Sequence, residues 1–519
     1  MSFTHPILTC KESEKHEIDL LGGDESREWE AMTKAGRALG EAILQDFQEI
    51  APLPESPRIL ILAGKGHNTG DALIAAEEIL QQYHKVQIII LFVFSGSKLH
   101  PLTQRCLDNL QRAGGDQVVH KNWHEGKLPF NDSVNFDICI DGLIGMQFTP
   151  PLRSPADSVI NWVNEKTNIR LRAAVDLPSG LGDESAEIVF RADFSYATGI
   201  AKTPLFNFEN AKYVGRVRYL DIGFFDQDAE TENGASVLTV NVLNSLRGLR
   251  EAATDKRSYG HLFVLGGSRS MPGAIQMSVV AALRSGAGLV TAFVPESVSA
   301  SFAAVIPEAM WVPWPETPDG GLAAEGFHLL QKKLNRATAF LVGPGMGTEE
   351  ETQFLVQRVV KEISLPLALD ADALQLKSIK LAQERSGDWG RIVITPHQGE
   401  FKRIYPSESV DTDPKTLIEF CRNHDLITLL KGPITRICDG QHFIYSTFGG
   451  PLLARGGSGD ILCGLIGSML ARPGVDPLEA TCRAVVLHGV AADALARDRG
   501  HVAVQTTEIL DYLAVVLRQ

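Results

Sequence analysis

Residues 58–80, RILILAGKGHNTGDALIAAEEIL, contain a short apolar run, then a glycine-bearing turn, then a helix-like segment. The same order recurs in residues 261–288, HLFVLGGSRSMPGAIQMSVVAALRSGAG, and in residues 339–360, AFLVGPGMGTEEETQFLVQRVV. Strands that are apolar throughout and alternate with helices are typical of a parallel sheet covered by helices on both faces. The pattern therefore predicts an α/β protein.

The length of the chain and one change in composition predict how it divides. A chain of 519 residues is too long for one ordinary hydrophobic core. Residues 226–258 interrupt the strand–helix pattern and are rich in Asp, Glu, Asn and Arg, which is typical of an inter-domain linker. We therefore predict two α/β domains, at 1–234 and 235–519.

Charge, cysteine spacing and apolar runs exclude several classes of protein. The net charge of −14 argues against nucleic acid or an anionic membrane as a partner. The seven cysteines are scattered without a CxxC pair, as in a protein with reduced thiols. The N-terminus lacks the apolar core of a signal peptide, and the apolar run at 86–94 is too short to span a bilayer. We expect a cytoplasmic protein.

The stretch at 449–470, GGPLLARGGSGDILCGLIGSML, concentrates glycines before an apolar segment. Apolar residues at helical spacing from 461 onwards predict a helix that begins near Asp460. A helix N-terminus offers unpaired N–H groups to an anion, and the glycines let a phosphate approach them closely. Asp460 would then accept a proton from a substrate hydroxyl beside that phosphate. The alternative is that Asp460 only caps the helix, but capping does not require three glycines.

Other strand-end turns in this half carry candidate ligand-binding residues, because open α/β sheets bind ligands at that edge. Lys431 in LLKGPIT is a candidate cation for a phosphate, and His397 lies in ITPHQGE together with Glu400. Asp370 and Asp372 in ALDADAL are further candidates for ligand binding. A purely structural role, as a strand-end turn and a helix cap, fits them equally well.

Taken together, GGSRSMPGAIQMSVVAALRSGAGLVT, GPGMG, LDADAL, TPHQGEF, LKG and GGSGDILCGLIGSML resemble the dehydratase domain of the NAD(P)H-hydrate repair enzymes, within the ribokinase-like superfamily. The resemblance covers about 256–500. It implies a ribokinase-like three-layer sandwich, a lyase that uses ADP (ATP in eukaryotic members) with Mg²⁺, and the S hydrate of NADH or NADPH as substrate. The nucleotide phosphorylates the ring hydroxyl, and loss of phosphate restores NAD(P)H.

The resemblance also assigns roles to residues of this half. Asp460 is the catalytic base, and the amides around Ser458 stabilise the transferred phosphoryl group. Substrate contacts fall on Ala274, Gly345, Gly347, His397 and Asp460, and nucleotide contacts fall on Lys431, Gly432, Gly457, Ser458 and Gly459. One departure is LKGPIT in place of the usual LKGAGT, because Pro433 lacks an N–H and Ile434 replaces a glycine.

In the N-terminal half, the glycines at 64, 66 and 70 do not have the GxGxxG spacing of a dinucleotide-binding turn. Instead GKGHNTGDALIAA, DGLIG, AVDLPSGL and YLDIGF together resemble the epimerase domain of the same repair enzymes, over about 25–225. The resemblance implies a Rossmann-like three-layer sandwich and an isomerase that interconverts the R and S hydrates.

For this half the resemblance implies a potassium ion and a set of substrate contacts. Potassium would be bound by Asn68, Asp141 and Ser179. Asp176 would take part in proton transfer, and the substrate would contact Asp176 and the loop residues His67, Asn68, Thr69, Gly70 and Asp71. Two loops depart from the family pattern: HNTGDA replaces NNGGDG, and GMQFTPPLR replaces a GTGL loop.

Three functional hypotheses remain open. The first is a two-domain repair enzyme with both activities, working as a homo-oligomer on small-molecule substrates with ADP. The second keeps the dehydratase but makes the N-terminal domain catalytically degenerate, because its loops have changed. The third is a small-molecule kinase, since the same aspartate and anion hole serve sugar and vitamin kinases.

Overall fold

The computed structural model describes residues 3–94, 98–124, 134–225, 234–385, 387, 389–406 and 413–518. The chain folds into two compact units. One comprises Met1–Thr231 with Arg497–Gly500, and the other Glu232–Ala496 with His501–Gln519. Each unit contains strands and helices in alternation, so the predicted α/β fold in two parts is confirmed.

The first unit is built on a parallel sheet with the strand order β4-β3-β2-β5-β6-β7-β9. A further short strand, β1, pairs in parallel with β8 through Ile7↔Ala201 and Leu8↔Lys202. The strands are β1 Thr4–Leu8, β2 Arg58–Ala63, β3 Gln87–Phe92, β4 Val118–Asn122, β5 Phe136–Gly142, β6 Ile169–Val175, β7 Phe194–Thr198, β8 Ala201–Lys202 and β9 Arg216–Leu220. The helices are α1 Cys10–Leu21, α2 Glu25–Phe47, α3 His67–Gln82, α4 Pro101–Gly114, α5 Ala156–Glu165 and α6 Ala211–Val214.

Strand β2 shows why this sheet is covered on both faces. Ile59 and Ile61 belong to one fully buried cluster, whereas Leu60 and Leu62 belong to a second one on the opposite face. Because successive side chains of a strand point to opposite faces, an apolar residue at every position requires a helix layer on each side.

The second unit has the strand order β13-β12-β11-β14-β15-β16-β17-β18-β19-β10. The strands are parallel except β18, which is antiparallel to both of its neighbours. The strands are β10 Ala235–Leu238, β11 His261–Leu265, β12 Leu289–Pro295, β13 Met310–Trp314, β14 Ala339–Val342, β15 Leu367–Leu369, β16 Ile392–Ile394, β17 Leu426–Leu430, β18 Thr435–Cys438 and β19 Phe443–Ser446. The helices are α7 Asn244–Arg247, α8 Pro272–Arg284, α9 Glu296–Val305, α10 Phe327–Gln331, α11 Glu350–Glu362, α12 Leu376–Ala382, α13 Gln398–Ile404, α14 Pro414–His424, α15 Ser458–Leu470, α16 Pro477–Arg499 and α17 Ile509–Leu517.

The predicted linker at 226–258 needs correction. Its first part, 226–233, lies outside the described residues, but the rest contains strand β10 and helix α7. Strand β10 pairs with β19 through Val237↔Tyr445, and Val237 is fully buried. The polar average of the segment concealed a short apolar run that adds one strand to the sheet.

Two further features bear on the sequence predictions. All seven cysteines are buried and free. Among the described residues, no helix combines the length and the apolar character needed to cross a membrane.

Helix α15 is positioned by close packing of its glycines. A Cβ atom at Gly464 would collide with the carbonyl oxygen of Ser278 on α8, and one at Gly467 would press on Leu262 and Leu341 of the sheet. The Ser278 hydroxyl also donates to the carbonyl oxygen of Asp460 at 2.9 Å. The N-terminus of α15 is therefore fixed against α8.

We predict that Gly464→Ala lowers the free energy of unfolding by about 1–3 kcal/mol, because an added methyl group has no space between the two helices. Urea unfolding of the full chain would measure the change. Gly273→Ala on α8 is the matched control, since nothing lies within 4 Å of its Cβ position. It should be neutral or stabilising by up to about 1 kcal/mol, and equal effects of the two substitutions would contradict the packing argument.

Candidate active sites

The N-terminus of α15 is open to an anion. Its N-cap is Gly457, which has φ of +88° and no side chain to cap the helix. A Cβ at Gly456 would have nothing within 4 Å, whereas one at Gly457 would lie 2.7 Å from Met277 Sδ, so the first turn is open on the side of Gly456. The helix starts at Ser458, two residues before the predicted start, and Asp460 lies in its first turn. The backbone N–H groups of the first turn and the Asp460 carboxylate therefore lie close together at the N-terminus of α15.

A partly buried ion pair lies beside this helix end. Lys431, directly after β17, donates to Asp370 Oδ1 at 3.0 Å, and Thr395 donates to the same oxygen at 2.6 Å. Glu400 lies 3.8 Å from the Lys431 ammonium. Burial lowers the pKa of Lys431, but the two carboxylates raise it by more, so the lysine is firmly protonated.

The Lys431–Asp370 ion pair lies next to Gly459 in the first turn of α15. A Cβ built on Gly459 would lie 3.4 Å from Lys431 Nζ and 3.9 Å from Asp370 Oδ2. The ammonium group therefore stands next to the backbone of the first turn. A cation and a helix N-terminus at one point are suited to a phosphate.

The same surroundings keep Asp460 partly protonated near neutral pH. Burial raises the pKa of the Asp460 carboxyl to about 6, the negative charge of Asp370 adds to the rise, and Lys431 opposes it. A carboxyl with a pKa close to neutral is suited to accepting and returning a proton.

His397 is the N-cap of α13 rather than part of a free loop. Its Nδ1 accepts from the N–H groups of Gly399 and Glu400, and Glu400 accepts from the His397 N–H in return. The ring is 60% exposed, so its outer edge is accessible. Since Lys431 N–H donates to the Pro396 carbonyl, His397 is also held next to the lysine.

The predicted substrate-contacting glycines lie on neighbouring turns. Gly345 has φ of +63°, and its Cβ position is 2.9 Å from the Ala274 methyl group, so only glycine fits against α8. The Gly347 N–H donates to Asp372 Oδ2 at 2.9 Å. Asp372 thus anchors the turn. This contact agrees with a structural role for Asp372, one of the two roles considered from the sequence. Gly432 follows Lys431 and has only the Ile434 carbonyl near its Cβ position.

The first unit contains a cavity of about 550 Å³ at the carboxyl ends of its strands. Its walls combine apolar side chains such as Met32, Leu143 and Phe148 with several acidic ones. The acidic side chains and histidines that line it are Glu14, Glu17, Glu28, His67, Asp71, His100 and Asp176.

The segment 67–72 was predicted as a loop, but it forms the first turns of α3. The turn that follows β2 ends at Gly66, which is the N-cap of this helix. His67, Asn68 and Asp71 line the cavity. Thr69 is fully buried instead: its hydroxyl donates to the Gly142 carbonyl at 2.8 Å and accepts from Gly64 N–H at 2.7 Å. The threonine that replaces the family glycine therefore links the ends of β2 and β5. Gly70 packs against Met32 of α2, since a Cβ at Gly70 would lie 2.8 Å from Met32 Sδ.

The three predicted potassium ligands follow neighbouring strands: Asn68 lies in the first turn of α3 after β2, Asp141 lies near the end of β5, and Ser179 lies in the turn after β6. Ser179 donates through its hydroxyl to Asp141 Oδ1 at 2.7 Å and through its N–H to Oδ2 at 2.8 Å. Asn68 donates its amide to the Val175 carbonyl at 3.0 Å, which leaves its oxygen for another partner. The donor set is therefore an amide oxygen, a hydroxyl and a carboxylate, all hard oxygen ligands that suit an alkali cation.

Asp176 is paired with a lysine that the sequence analysis missed. Lys202 is fully buried at the end of β8 and donates to Asp176 Oδ1 at 2.6 Å. Asp176 itself has φ of +63°, a conformation that non-glycine residues adopt at a cost. The only signal for Lys202 was a charged residue in the apolar segment TGIAK.

The sequence analysis also missed helix α1, which adds Glu14 and Glu17 to the cavity. Burial raises the pKa of Glu17 to about 7, Lys202 opposes the rise, and Asp176 and Glu14 add to it. In the second unit Thr395 and Ser278 were missed in the same way. For Thr395 a signal was available, because it lies two residues before His397 in TPHQGE.

Comparison with known proteins follows the same division of the chain. A family model described as NAD(P)H-hydrate dehydratase matches residues 262–514, and one described as YjeF-related protein N-terminus matches residues 29–203. The bifunctional NAD(P)H-hydrate repair enzyme Nnr of Moorella thermoacetica is 33% identical over 94% of this chain and 92% of its own length. The chain belongs to the family of bifunctional NAD(P)H-hydrate repair enzymes.

Other members of this repair-enzyme family are comparably similar. Nnr of Gloeobacter violaceus is 34% identical over 90% of this chain and 89% of its own length. Among solved structures, a ribokinase-like superfamily protein from Enterococcus faecalis covers 56% of this chain and 98% of its own, with 28% identity and a TM-score of 0.48. The family inferred from the motifs is confirmed. Helix α1 precedes both matched ranges.

We predict that the stability contributed by Asp460 depends on pH. Because its folded pKa of about 6 exceeds its usual 3.8, the contribution is complete below pH 3.8 and is lost as the pH rises through 6. Asp460→Asn lacks this loss. The stability of the variant relative to the natural chain should therefore rise by ~1–2 kcal/mol between pH 4 and pH 7.5, a value reduced for the partial exposure of the group.

Urea unfolding of both proteins across this pH range would measure the difference. Asp319→Asn is the control, since Asp319 is exposed and belongs to the same unit. If the Asp460→Asn profile stayed parallel to that of the natural chain, the raised pKa would be contradicted.

Proposed function

We propose that this chain repairs hydrated NADH and NADPH, with an epimerase in residues 1–234 and an ADP-dependent dehydratase in residues 235–519. The observation that carries the proposal is Asp460 in the first turn of an open helix, beside the Lys431–Asp370 pair. Full-length similarity to bifunctional repair enzymes supports the same function.

In the second unit, the proposed dehydration has two steps. Asp460 accepts the proton of the ring hydroxyl while the hydroxyl oxygen attacks the terminal phosphoryl group of ADP and releases AMP. Phosphate then leaves the ring carbon as a proton leaves the neighbouring carbon, which restores the ring double bond. The carboxyl group suits the first step, because its pKa of about 6 lets it hold the proton transiently.

Charge on the transferred phosphoryl group would be stabilised by the helix N-terminus and by Lys431. Backbone N–H groups at Gly457, Ser458 and Gly459 lie at the start of α15, which is held in place by packing, and the Ser458 N–H would have to exchange its 3.3 Å hydrogen bond with the Arg455 carbonyl for one with the phosphoryl group. Asp370 and Glu400 hold the lysine ammonium at that point through the two contacts described above. Phosphoryl transfer depends mainly on such positioning.

For the nucleotide we propose ADP with Mg²⁺, and Lys431 and Gly432 as nucleotide contacts. Within the described residues, no group of three or more His, Cys, Asp or Glu is placed to hold a metal ion. Mg²⁺ characteristically binds through substrate phosphates and one or two carboxylates, and there it would neutralise phosphate charge. Pro433 and Ile434 should shape nucleotide preference, since they remove one backbone donor and fill space beside Gly432.

In the first unit we propose that the hydrated ring enters the cavity, with Asp176 as an acid–base residue. The acidic wall suits an uncharged ring and repels phosphates, so the diphosphate of the substrate would remain outside. We propose that Asn68, Asp141 and Ser179 hold K⁺, which would supply positive charge beside the substrate. Substrate contacts are proposed for His67, Asn68, Asp71 and Asp176, with Thr69 and Gly70 acting through the backbone.

The alternative of a degenerate first unit is weakened by the position of Thr69. Its hydroxyl forms hydrogen bonds with the ends of β2 and β5, so the Thr69 side chain does not fill the cavity. We also propose a homo-oligomer, as the family resemblance implies, which light scattering of the full chain would test.

We predict that the full chain restores reduced-nicotinamide absorbance from mixed R and S NADHX when ADP is present. Asp460→Asn should lower the rate about 10²–10⁴-fold, because the proton acceptor is lost. Asp176→Asn should convert the S fraction normally and leave the R fraction to slow spontaneous epimerisation. Parallel reactions with ATP and without nucleotide would establish which nucleotide is used.

Each alternative has its own outcome in this time course. Recovery that stops at the S fraction in the natural chain would identify a degenerate first unit. A stable phosphorylated product would identify a kinase. Full activity of Asp460→Asn would contradict the proposed dehydratase mechanism.

A further inference from the structure

Helix α1 is a fixed wall of the cavity in the first unit. Asp183 accepts from the N–H groups of Cys10 at 2.8 Å and Lys11 at 3.1 Å, which anchors the start of the helix. Gln147 donates to Glu14 at 2.7 Å, which joins the helix to the loop that follows β5. Side chains of α1 that line the cavity are therefore held in place.

Glu17 of α1 faces the same cavity as Asp71 and Asp176. Asp176 has a cationic partner in Lys202, whereas the buried Asp71 Oδ1 has no hydrogen-bond partner in the part of the chain that the structure describes. Three carboxyl groups close to a single ammonium cannot all be ionised, because like charges in a low-dielectric site repel strongly. The cluster therefore retains protons at neutral pH.

Asp176 and Glu17 differ in their contact with Lys202, because only Asp176 forms an ion pair with it among the described residues. Burial raises the pKa of both carboxyl groups, to about 7 at Glu17, and the ammonium group of Lys202 opposes the rise at each. The groups that act on Glu17 are Lys202, Asp176 and Glu14, and the other titratable groups of the cavity are Glu28, His67, Asp71 and His100. One carboxyl in contact with an ammonium group and a second one at the same cavity are suited to acid–base chemistry.

We propose that Glu17 is the second acid–base residue of the epimerase site and works across the substrate ring from Asp176. This inference rests on the proposed epimerase function. Glu17 and Asp176 line the same cavity from different elements, α1 and the turn that follows β6.

The proposed step balances as a loss and a return of water. Protonated Glu17 gives its proton to the ring hydroxyl, the C–O bond breaks, and the lone pair of the adjacent ring nitrogen forms a C=N bond. Water then adds to the other face of that carbon and gives a proton to the Asp176 carboxylate. The reverse conversion uses the same two groups in exchanged roles.

Epimerisation would be measured in the full chain carrying Asp460→Asn, so that the S hydrate is not consumed. Purified R hydrate is the substrate, and formation of the S hydrate is followed between pH 5.5 and 8.5 after subtraction of the spontaneous rate. With Glu17 intact, the rate should fall as the pH rises through about 7, because the proton donor is lost.

Glu17→Gln in this background should lower kcat about 10²-fold, leave KM within about twofold, and remove the fall near pH 7. Glu17→Asp, which keeps a carboxyl group, should recover part of the rate and restore the fall. Asp19→Asn is the matched control: Asp19 is exposed on the same helix, and its loss should change the rate less than twofold. Melting temperatures of all variants check that they fold.

Unchanged rate and pH profile in Glu17→Gln would overturn the role of Glu17 while leaving the epimerase function intact. A raised KM with the fall near pH 7 retained would also overturn it, since that indicates a structural role. If the chain with Glu17 intact did not accelerate epimerisation at all, the proposed epimerase function would fail, and this inference with it.

Discussion

Each candidate site depends on one lysine, fully buried in the first unit and partly buried in the second, that is paired with a strand-end aspartate. Lys202 lies 2.6 Å from Asp176 in the first unit, and Lys431 lies 3.0 Å from Asp370 in the second. A lone charge in such a place would be costly to bury, and the pairing removes most of that cost. The pair then sets the charge balance for the carboxyl groups around it. Burial raises the pKa of Glu17 to about 7 and that of Asp460 to about 6, and the lysine of each site opposes the rise.

The parallel sheets bring these groups together without long loops. Asp141 ends β5 and Asp176 follows β6, while Asp370 and Lys431 follow β15 and β17. Because parallel strands end at the same edge, groups distant in sequence meet there, and the helices that start at this edge contribute their N–H groups. Glycines matter at the few points where backbones touch, such as Gly345 against α8 and Gly464 against Ser278. The reactive groups are therefore placed by the rigid parts of each unit.

Most of the fold and the motif residues could be predicted, because strand–turn–helix order and glycine-rich turns are local signals. Asp460, Lys431, Gly459 and Asp176 all lie at strand or helix ends, as expected. Lys202 could not be predicted, since its pairing with Asp176 is made across the fold and leaves no spacing signature. Thr69 belongs to the loop HNTGDA that departs from the family pattern, yet its hydroxyl forms hydrogen bonds with Gly64 and Gly142. Which way a side chain points at a helix start depends on three-dimensional contacts.

Strand β1 and helix α1 give the residues before Glu25 a structural meaning that their polar composition conceals. Leu8 of β1 is the register partner of Lys202, and α1 closes one side of the cavity with Glu17. A shortened chain that starts with α2 would retain nearly every motif of the family. It would nevertheless lose both the strand that aligns the buried lysine and one wall of the cavity, and water would reach the carboxylates. Comparisons of epimerase rates between full-length and N-terminally trimmed proteins of this family would then compare two different active sites.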